Sequence, residues 1–233
     1  MKPQQEKPAT FDGYADDYAS LIRDPIRDTF AGGSRFFFDR KMQVIRDFLN
    51  RAETESSALL WLDIGCGQGD LLRLGKSYFK HAAGCDPSHG MLKSCADLDV
   101  RHQPAPEVLP YDSRTFDFVT AVCVYHHVPP DRRSLLTAEA FRVLKPGGIF
   151  CIIEHNPINP VTRLIVSRTK VDAGVQLLTA QAARLLLSTP ASKVLGSRYF
   201  LLFPERLKSL VRIEDSLRAL PLGGQYAVFA QRC

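Results

Sequence analysis

The stretch LDIGCGQGD, Leu62 to Asp70, sets glycines at 65, 67 and 69 directly after a run of apolar residues. Alternate glycines free the backbone for positive φ and remove the Cβ atoms that would hold a ligand away, and a following helix offers unpaired N–H groups. Such a turn suits a ligand that touches main chain. A dinucleotide-binding turn reads G-x-G-x-x-G and needs glycine at position 70, where this chain carries Asp70. The G-x-G-x-G register therefore points away from a pyrophosphate and towards another nucleoside ligand. Asp86 closes the next apolar run, where a carboxylate can accept both hydroxyls of a ribose. His126 and His127 follow a later run, and Glu154 closes the one after it. A neutral imidazole in that place takes a proton from a bound hydroxyl, or it packs and satisfies a backbone carbonyl. Both readings stand at this point.

These residues need elements to bring them together. ALLWLDIG, HAAGCD, FDFVTAVCVYH and GGIFCIIEH are short apolar runs of the kind buried on both faces of a parallel sheet. Between them DLLRLGKSYF, SHGMLKSCADL and RRSLLTAEAFRVL carry helical periodicity, and FFFDRKMQVIRDFLN, with Met42, Ile45, Phe48 and Leu49 on one face, leads into the first strand. Strands alternating with helices predict an α/β, doubly wound, mostly parallel sheet whose ligands bind at the carboxyl ends of the strands. The glycines then occupy a strand-to-helix turn. From Pro157 the pattern loosens through NPINPVTRLIVSRTKVDAGV, where substrate contacts are expected. A helix over Leu177 to Leu187, two late strands, RYFLLFP and QYAVFAQ, and a helix between them, PERLKSLVRIEDSLRAL, complete the chain.

A chain of 233 residues with 45% hydrophobic residues buries one substantial core. It reads as one domain over 1–233: a lead-in over 1–50, a ligand-binding core over 59–156, and a substrate-side segment with the last strands over 157–233. The net charge of +5 is scattered along the chain, so no nucleic-acid partner is expected. Six cysteines without C-x-x-C spacing suit a reduced compartment. The start MKPQQEKPATFDG lacks the apolar core of a signal peptide, and no apolar run approaches the length of about 18 residues that a membrane span needs. A soluble, cytoplasmic protein is expected. No H-x-x-x-H pair is present and Asp131 is isolated, so no metal is expected either.

LDIGCGQG, GCDPSHGML, LPYDSRTFDFV, YHHV and FRVLKPGG occur in this order over roughly residues 59 to 156. On these stretches the chain resembles the class I S-adenosylmethionine-dependent methyltransferases, specifically the group acting on small molecules. The resemblance implies a Rossmann-like seven-stranded sheet and S-adenosyl-L-methionine as cofactor. Asp63 and the turn of Gly65, Cys66, Gly67 and Gly69 would hold its methionine part, Asp86 its ribose, Pro87 and Met91 would pack near its adenine, and Cys123 would line the same site. The family's adenine-binding Asp is replaced by Ala105, and the next residue, whose N–H normally meets the ring, is Pro106, which has none. Gln103 or Glu107 remain as substitutes. The segment Phe11-Asp12-x-x-Ala15-x-x-Tyr18 is similar to one that folds over the cofactor in relatives, giving a helical N-terminal lid in which Tyr14 and Tyr18 face the ligand. The alternative is that these aromatics, with Phe30 and Phe36 to Phe38, are core.

Methyl transfer is an in-line displacement, and the protein supplies alignment, exclusion of water and, for a hydroxyl acceptor, removal of a proton. His127 or His126, oriented by Glu154, fits that last role. The expected function is methyl transfer to a small-molecule acceptor at a hydroxyl oxygen. One alternative is a cofactor-binding protein without independent turnover, suggested by Ala105 and Pro106. Another is an RNA methyltransferase, disfavoured by the missing basic patch. NPIN, Asn156 to Asn159, resembles the Asn-Pro-Pro motif of enzymes acting on base amino groups, but it follows the fifth strand rather than the fourth and is read as a turn. Gly147 and Gly148 read as a tight turn, and Asp117 as a residue orienting the sheet edge.

Overall fold

Each apolar run becomes a strand because both of its faces find cover. In the computed structural model, which describes residues 11–233, the strands are β1 (Leu60–Ile64), β2 (His81–Asp86), β3 (Asp99–His102), β4 (Phe116–Val122), β5 (Leu144–His155), β6 (Ser192–Phe200) and β7 (Gln225–Arg232). The polar start on which the absence of a leader peptide is read falls mostly in residues 1–10, outside the described residues. β3 is short and half exposed along its length, so no apolar run announces it. The helices are α1 (Tyr18–Leu21), α2 (Pro25–Phe30), α3 (Ser34–Arg51), α4 (Asp70–Gly75), α5 (His89–Leu92), α6 (Arg133–Val143), α7 (Pro160–Arg168), α8 (Ala180–Leu187) and α9 (Val211–Ser216).

The seven strands form one sheet in the order β3-β2-β1-β4-β5-β7-β6. All neighbours are parallel except β7, which runs antiparallel to both β5 and β6. The expected mostly parallel seven-stranded sheet is therefore present, with an antiparallel hairpin at its end. Chain direction across the sheet reverses between β1 and β4, and that switch point opens a crevice at the carboxyl ends of the two strands.

Side-chain alternation divides the core in two. On one face Trp61, Phe118 and Phe229 meet Met42, Val44, Ile45 and Leu49 of α3, and Phe48 stacks on Phe229 with ring centroids 3.7 Å apart. On the other, Leu62, Val119, Phe150 and Val228 meet Leu136, Ala140 and Phe141 of α6 and Ala183 and Leu187 of α8. No helix among the described residues is long and apolar enough to cross a membrane.

The C-terminal third departs from its sequence reading. The strand expected over RYFLLFP lies mainly before it, ending at Phe200, because Leu201 takes a left-handed φ of 61°. The long helix expected after it breaks into a 3-10 turn at Glu205–Leu210 and the short α9. Glu214 of α9 accepts the N–H groups of Leu201 and Leu202 and pairs with buried Arg40 of α3. An acidic residue thus closes the end of β6 and ties it to the lead-in helix.

Candidate functional site

At the end of β1, Gly65, Gly67 and Gly69 all have positive φ, 66°, 54° and 80°. Their missing side chains serve different ends. A Cβ on Gly65 would stand 2.5 Å from Val124, and one on Gly69 would stand 2.4 Å from Leu98, whereas a Cβ on Gly67 would meet no atom within 4 Å. Gly65 and Gly69 are packed against protein, and Gly67 faces open space. The turn is pinned to β2, since the N–H groups of Gly65 and Cys66 both donate to the Cys85 carbonyl.

Asp86, buried at the end of β2, accepts from Gly67 N at 2.9 Å and from Ser88 N at 2.8 Å. Burial pushes its pKa up and these two N–H groups pull it back. Each carboxylate oxygen keeps a free acceptor site for a ribose hydroxyl. Ser88 caps α5 by accepting from Met91 N, which leaves Met91 buried and Pro87 exposed. Asp63, at the same end of β1, accepts from the Thr120 hydroxyl at 2.6 Å, and Trp61 donates to that hydroxyl in turn. Burial lifts Asp63 to about 7, against this hydrogen bond and the nearby Lys41 ammonium.

The substitutes expected at the adenine position are engaged elsewhere. Gln103 is buried and its amide donates to the carbonyls of Ala105 and Pro106, holding a tight turn closed by the Ala105 to Val108 bridge. Glu107 pairs with Arg132. Ala105 and Pro106 thus lie on a turn braced from within by Gln103.

The N-terminal aromatics divide between lid and core. Phe11–Tyr14 form a 3-10 turn across the strand ends: Asp12 accepts from Ser88 Oγ and Gly90 N, each at 2.7 Å, and the Ala15 carbonyl accepts from Gln68 at 2.8 Å. Phe11 meets His127 edge-on at 4.9 Å. The half-buried Tyr18 phenol shares its surroundings with Cys123, Asp172 and Asp86, and burial pushes its pKa up. Phe30 and Phe36 to Phe38 instead pack against the α3 face of the core.

Past β4, Cys123 has a φ of 57°, a strained value for a residue with a side chain, and the chain then turns through Val124 to Val128. That turn carries His126 under the end of β5. His126 Nδ1 lies 2.6 Å from Glu154 Oε2, and its Nε2 lies 3.4 Å from Asp172 Oδ1; His127 Nε2 lies 3.5 Å from the same oxygen. Burial disfavours a charged His126, but Glu154 and Asp172 outweigh it and raise His126 to about 10. Burial and the His126 cation lower His127 to about 4, and His126 holds the buried Glu154 down at about 2. A histidine kept protonated between two carboxylates removes no further proton. At neutral pH only His127 of the pair is a free base.

Three residues of this site escape the sequence reading. Asp172 comes from the loose segment after α7, where nothing periodic marks it. Lys41 lies buried on the apolar face of α3 with its ammonium 3.8 Å from Cys123 Sγ, and its place one turn before Ile45 is a signal available in the sequence. Gln225, at the start of β7, donates to Cys123 Sγ at 3.4 Å while its buried Oε1 has no partner among the described residues.

The sequence matches the Methyltransferase domain family over residues 62–152. The tRNA (carboxymethyluridine(34)-5-O)-methyltransferase of Arabidopsis thaliana is 35% identical over 158 residues, 67% of this chain and 37% of that protein. The ubiquinone biosynthesis O-methyltransferase of Hahella chejuensis is 35% identical over 107 residues, 41% of this chain and 44% of that protein. The chain thus spans less than half the length of these curated relatives. Among solved structures, a Thermotoga maritima methyltransferase described as a possible histamine N-methyltransferase superposes with a TM-score of 0.68 at 16% identity, covering 96% of this chain and 98% of that one. At that identity the likeness is one of fold. With such sequences matching its glycine turn and central strands, and such a fold matching nearly its whole length, the chain carries a methyltransferase domain on the fold of S-adenosylmethionine-dependent methyltransferases.

Proposed function

We propose that the protein transfers a methyl group from S-adenosylmethionine to a hydroxyl oxygen of a small-molecule acceptor. The observation that carries this reading is the cluster of buried His126 and Glu154 with half-buried His127 and Asp172 beyond β4. One segment, Phe11 to Ala15, touches both this cluster and the glycine turn. The residues around the glycine turn suit the cofactor: Gly67 leaves room against the main chain, Asp86 keeps acceptor sites for a ribose, and Asp63 offers a carboxylate to an ammonium. When bound, that cofactor supplies an activated methyl group on a sulfonium.

The protein's own residues then bind, orient and exclude water. Phe11 and Tyr18 cover the crevice, and the histidine and carboxylate cluster receives the acceptor hydroxyl and its proton. Oxygen is favoured as acceptor because a hydroxyl gains most from such a cluster, and because both curated relatives named above are O-methyltransferases. A second reading, an RNA acceptor, is favoured by the tRNA methyltransferase that matches 67% of this chain.

The test is incubation with methyl-labelled S-adenosylmethionine, in parallel with a metabolite extract and with total tRNA. Label in a small-molecule methyl ether or ester is the expected result, with His127→Ala lowering turnover by about 10²- to 10⁴-fold and leaving S-adenosylhomocysteine affinity unchanged. Label confined to RNA would replace the first reading with the second.

A further inference from the structure

The contacts within the histidine cluster are of two kinds. His126 Nδ1 and Glu154 Oε2, 2.6 Å apart, make a true hydrogen bond. The separations from Asp172 Oδ1 to His126 Nε2 and His127 Nε2, 3.4 and 3.5 Å, are too long for good ones. They are instead the spacing of ligands around an ion. Two donors each about 2.0 to 2.1 Å from a tetrahedral zinc stand about 3.3 Å apart. The three donor atoms lie within 4.8 Å of one another, from one buried and two half-buried residues. The short bond to Glu154 fixes the His126 ring through Nδ1, as carboxylate partners do for metal-bound histidines, and an ion binding at Nε2 displaces the proton that the metal-free ring keeps there. Phe11 closes one flank.

We infer that His126 Nε2, His127 Nε2 and Asp172 Oδ1 form a site for one divalent transition-metal ion of the zinc or iron(II) class, with Glu154 as the positioning residue. Two imidazoles and a carboxylate are the donor set of such ions when positions are kept open for a substrate. The sequence reading expects no metal, because the third ligand joins the histidine pair only through the fold. Resting on the proposed methyl transfer, the open positions take the acceptor's oxygen, and the ion makes that hydroxyl acidic enough to lose its proton to solvent, so that the two histidines serve as ligands in place of a base.

Zinc chloride titrated calorimetrically into the metal-stripped full chain tests this, with cobalt(II) absorption reporting coordination. One zinc per chain and a tetrahedral cobalt spectrum are expected. Affinity should fall by at least about a hundredfold in Asp172→Asn and in His127→Ala, and by about 10- to 100-fold in Glu154→Gln. His89→Ala, which removes the separate stacked pair of His89 and His102, should bind zinc like the parent. Melting curves of each variant verify the fold, and Asp172→Asn preserves side-chain volume. No stoichiometric uptake, or uptake unchanged in Asp172→Asn and His127→Ala, overturns the inference. S-adenosylhomocysteine affinity measured on the same samples separates the two ideas: its retention without zinc uptake sinks the metal site alone, and its absence with zinc uptake intact sinks the methyl-transfer reading.

Discussion

Gly67 differs from its neighbours in what a side chain would strike. Valine there adds a branched group to the open side of the turn, where ligand and protein cannot both fit. We expect Gly67→Val to lower S-adenosylhomocysteine affinity by at least about a hundredfold, equivalent to about 2.7 kcal/mol. Gly69→Ala should act through the fold instead, since its Cβ meets Leu98 at 2.4 Å and its φ of 80° costs an L-residue about 1 to 2 kcal/mol. Calorimetry paired with melting curves separates the two; unimpaired binding by a folded Gly67→Val would remove the ligand from this turn. Gly67 and Asp86 were legible because each closes an apolar run and their spacing is local. Asp172 and Gln225 were not, because their roles depend on what the fold brings beside His126 and Cys123 from far along the chain. Nor does sequence reveal that two carboxylates hold His126 protonated, which leaves His127 as the pair's only free base.

Among the elements, the N-terminal segment joins the two halves of the site. Asp12 latches it to Ser88 and Gly90, while Phe11 lies against His127. Removing the Asp12 carboxylate deletes two hydrogen bonds to the α5 turn and nothing in the core. Asp12→Ala should therefore weaken S-adenosylhomocysteine about three- to tenfold, mainly through faster release, with little change in melting temperature. Stopped-flow dissociation measures this, and an unchanged release rate would make the segment a fixed wall. β1, β2, β4 and β5 and the helices between them could be read from alternating periodicity, because these strands are largely buried on both faces, whereas the half-exposed β3 could not. The end of the chain reads less well. Its β6 carries exposed and half-buried residues from Lys193 to Ser197, and its helix yields to Glu214, which turns inward to cap the end of β6 and meet Arg40. No local pattern encodes that tertiary demand.

For the molecule as a whole, sheet order decides where charge must be buried. The switch point between β1 and β4 sets Asp63 in the core beside Thr120, at the mouth of the crevice, and burial raises it to about 7 from an ordinary 3.8. The native chain therefore keeps a proton on Asp63 across roughly pH 4 to 7 where the unfolded chain has lost it, so this group's contribution to stability declines as pH rises through that window. Its full span is about 4 kcal/mol, at about 1.4 kcal/mol per pH unit. His127 and His155, both lowered to about 4, act in the opposite direction, since the unfolded chain binds their protons first as pH falls below about 6.5. The raw profile mixes these effects. The difference between the parent and Asp63→Asn isolates one of them, because asparagine still accepts from the Thr120 hydroxyl but does not titrate. In the ligand-free protein, Asp63→Asn should gain stability relative to the parent as pH climbs from 5 to 8, by about 2 to 3 kcal/mol. The ammonium of S-adenosylhomocysteine, if held by Asp63, favours the ionised carboxylate. Saturating ligand should then erase much of that difference and release close to one proton per chain on binding at pH 6, readable as a dependence of calorimetric heat on the buffer's ionisation enthalpy. A parent-to-variant difference that stays flat with pH, together with no proton release, would mean that Asp63 is ionised in the free protein and that the crevice mouth is wetter than its burial implies.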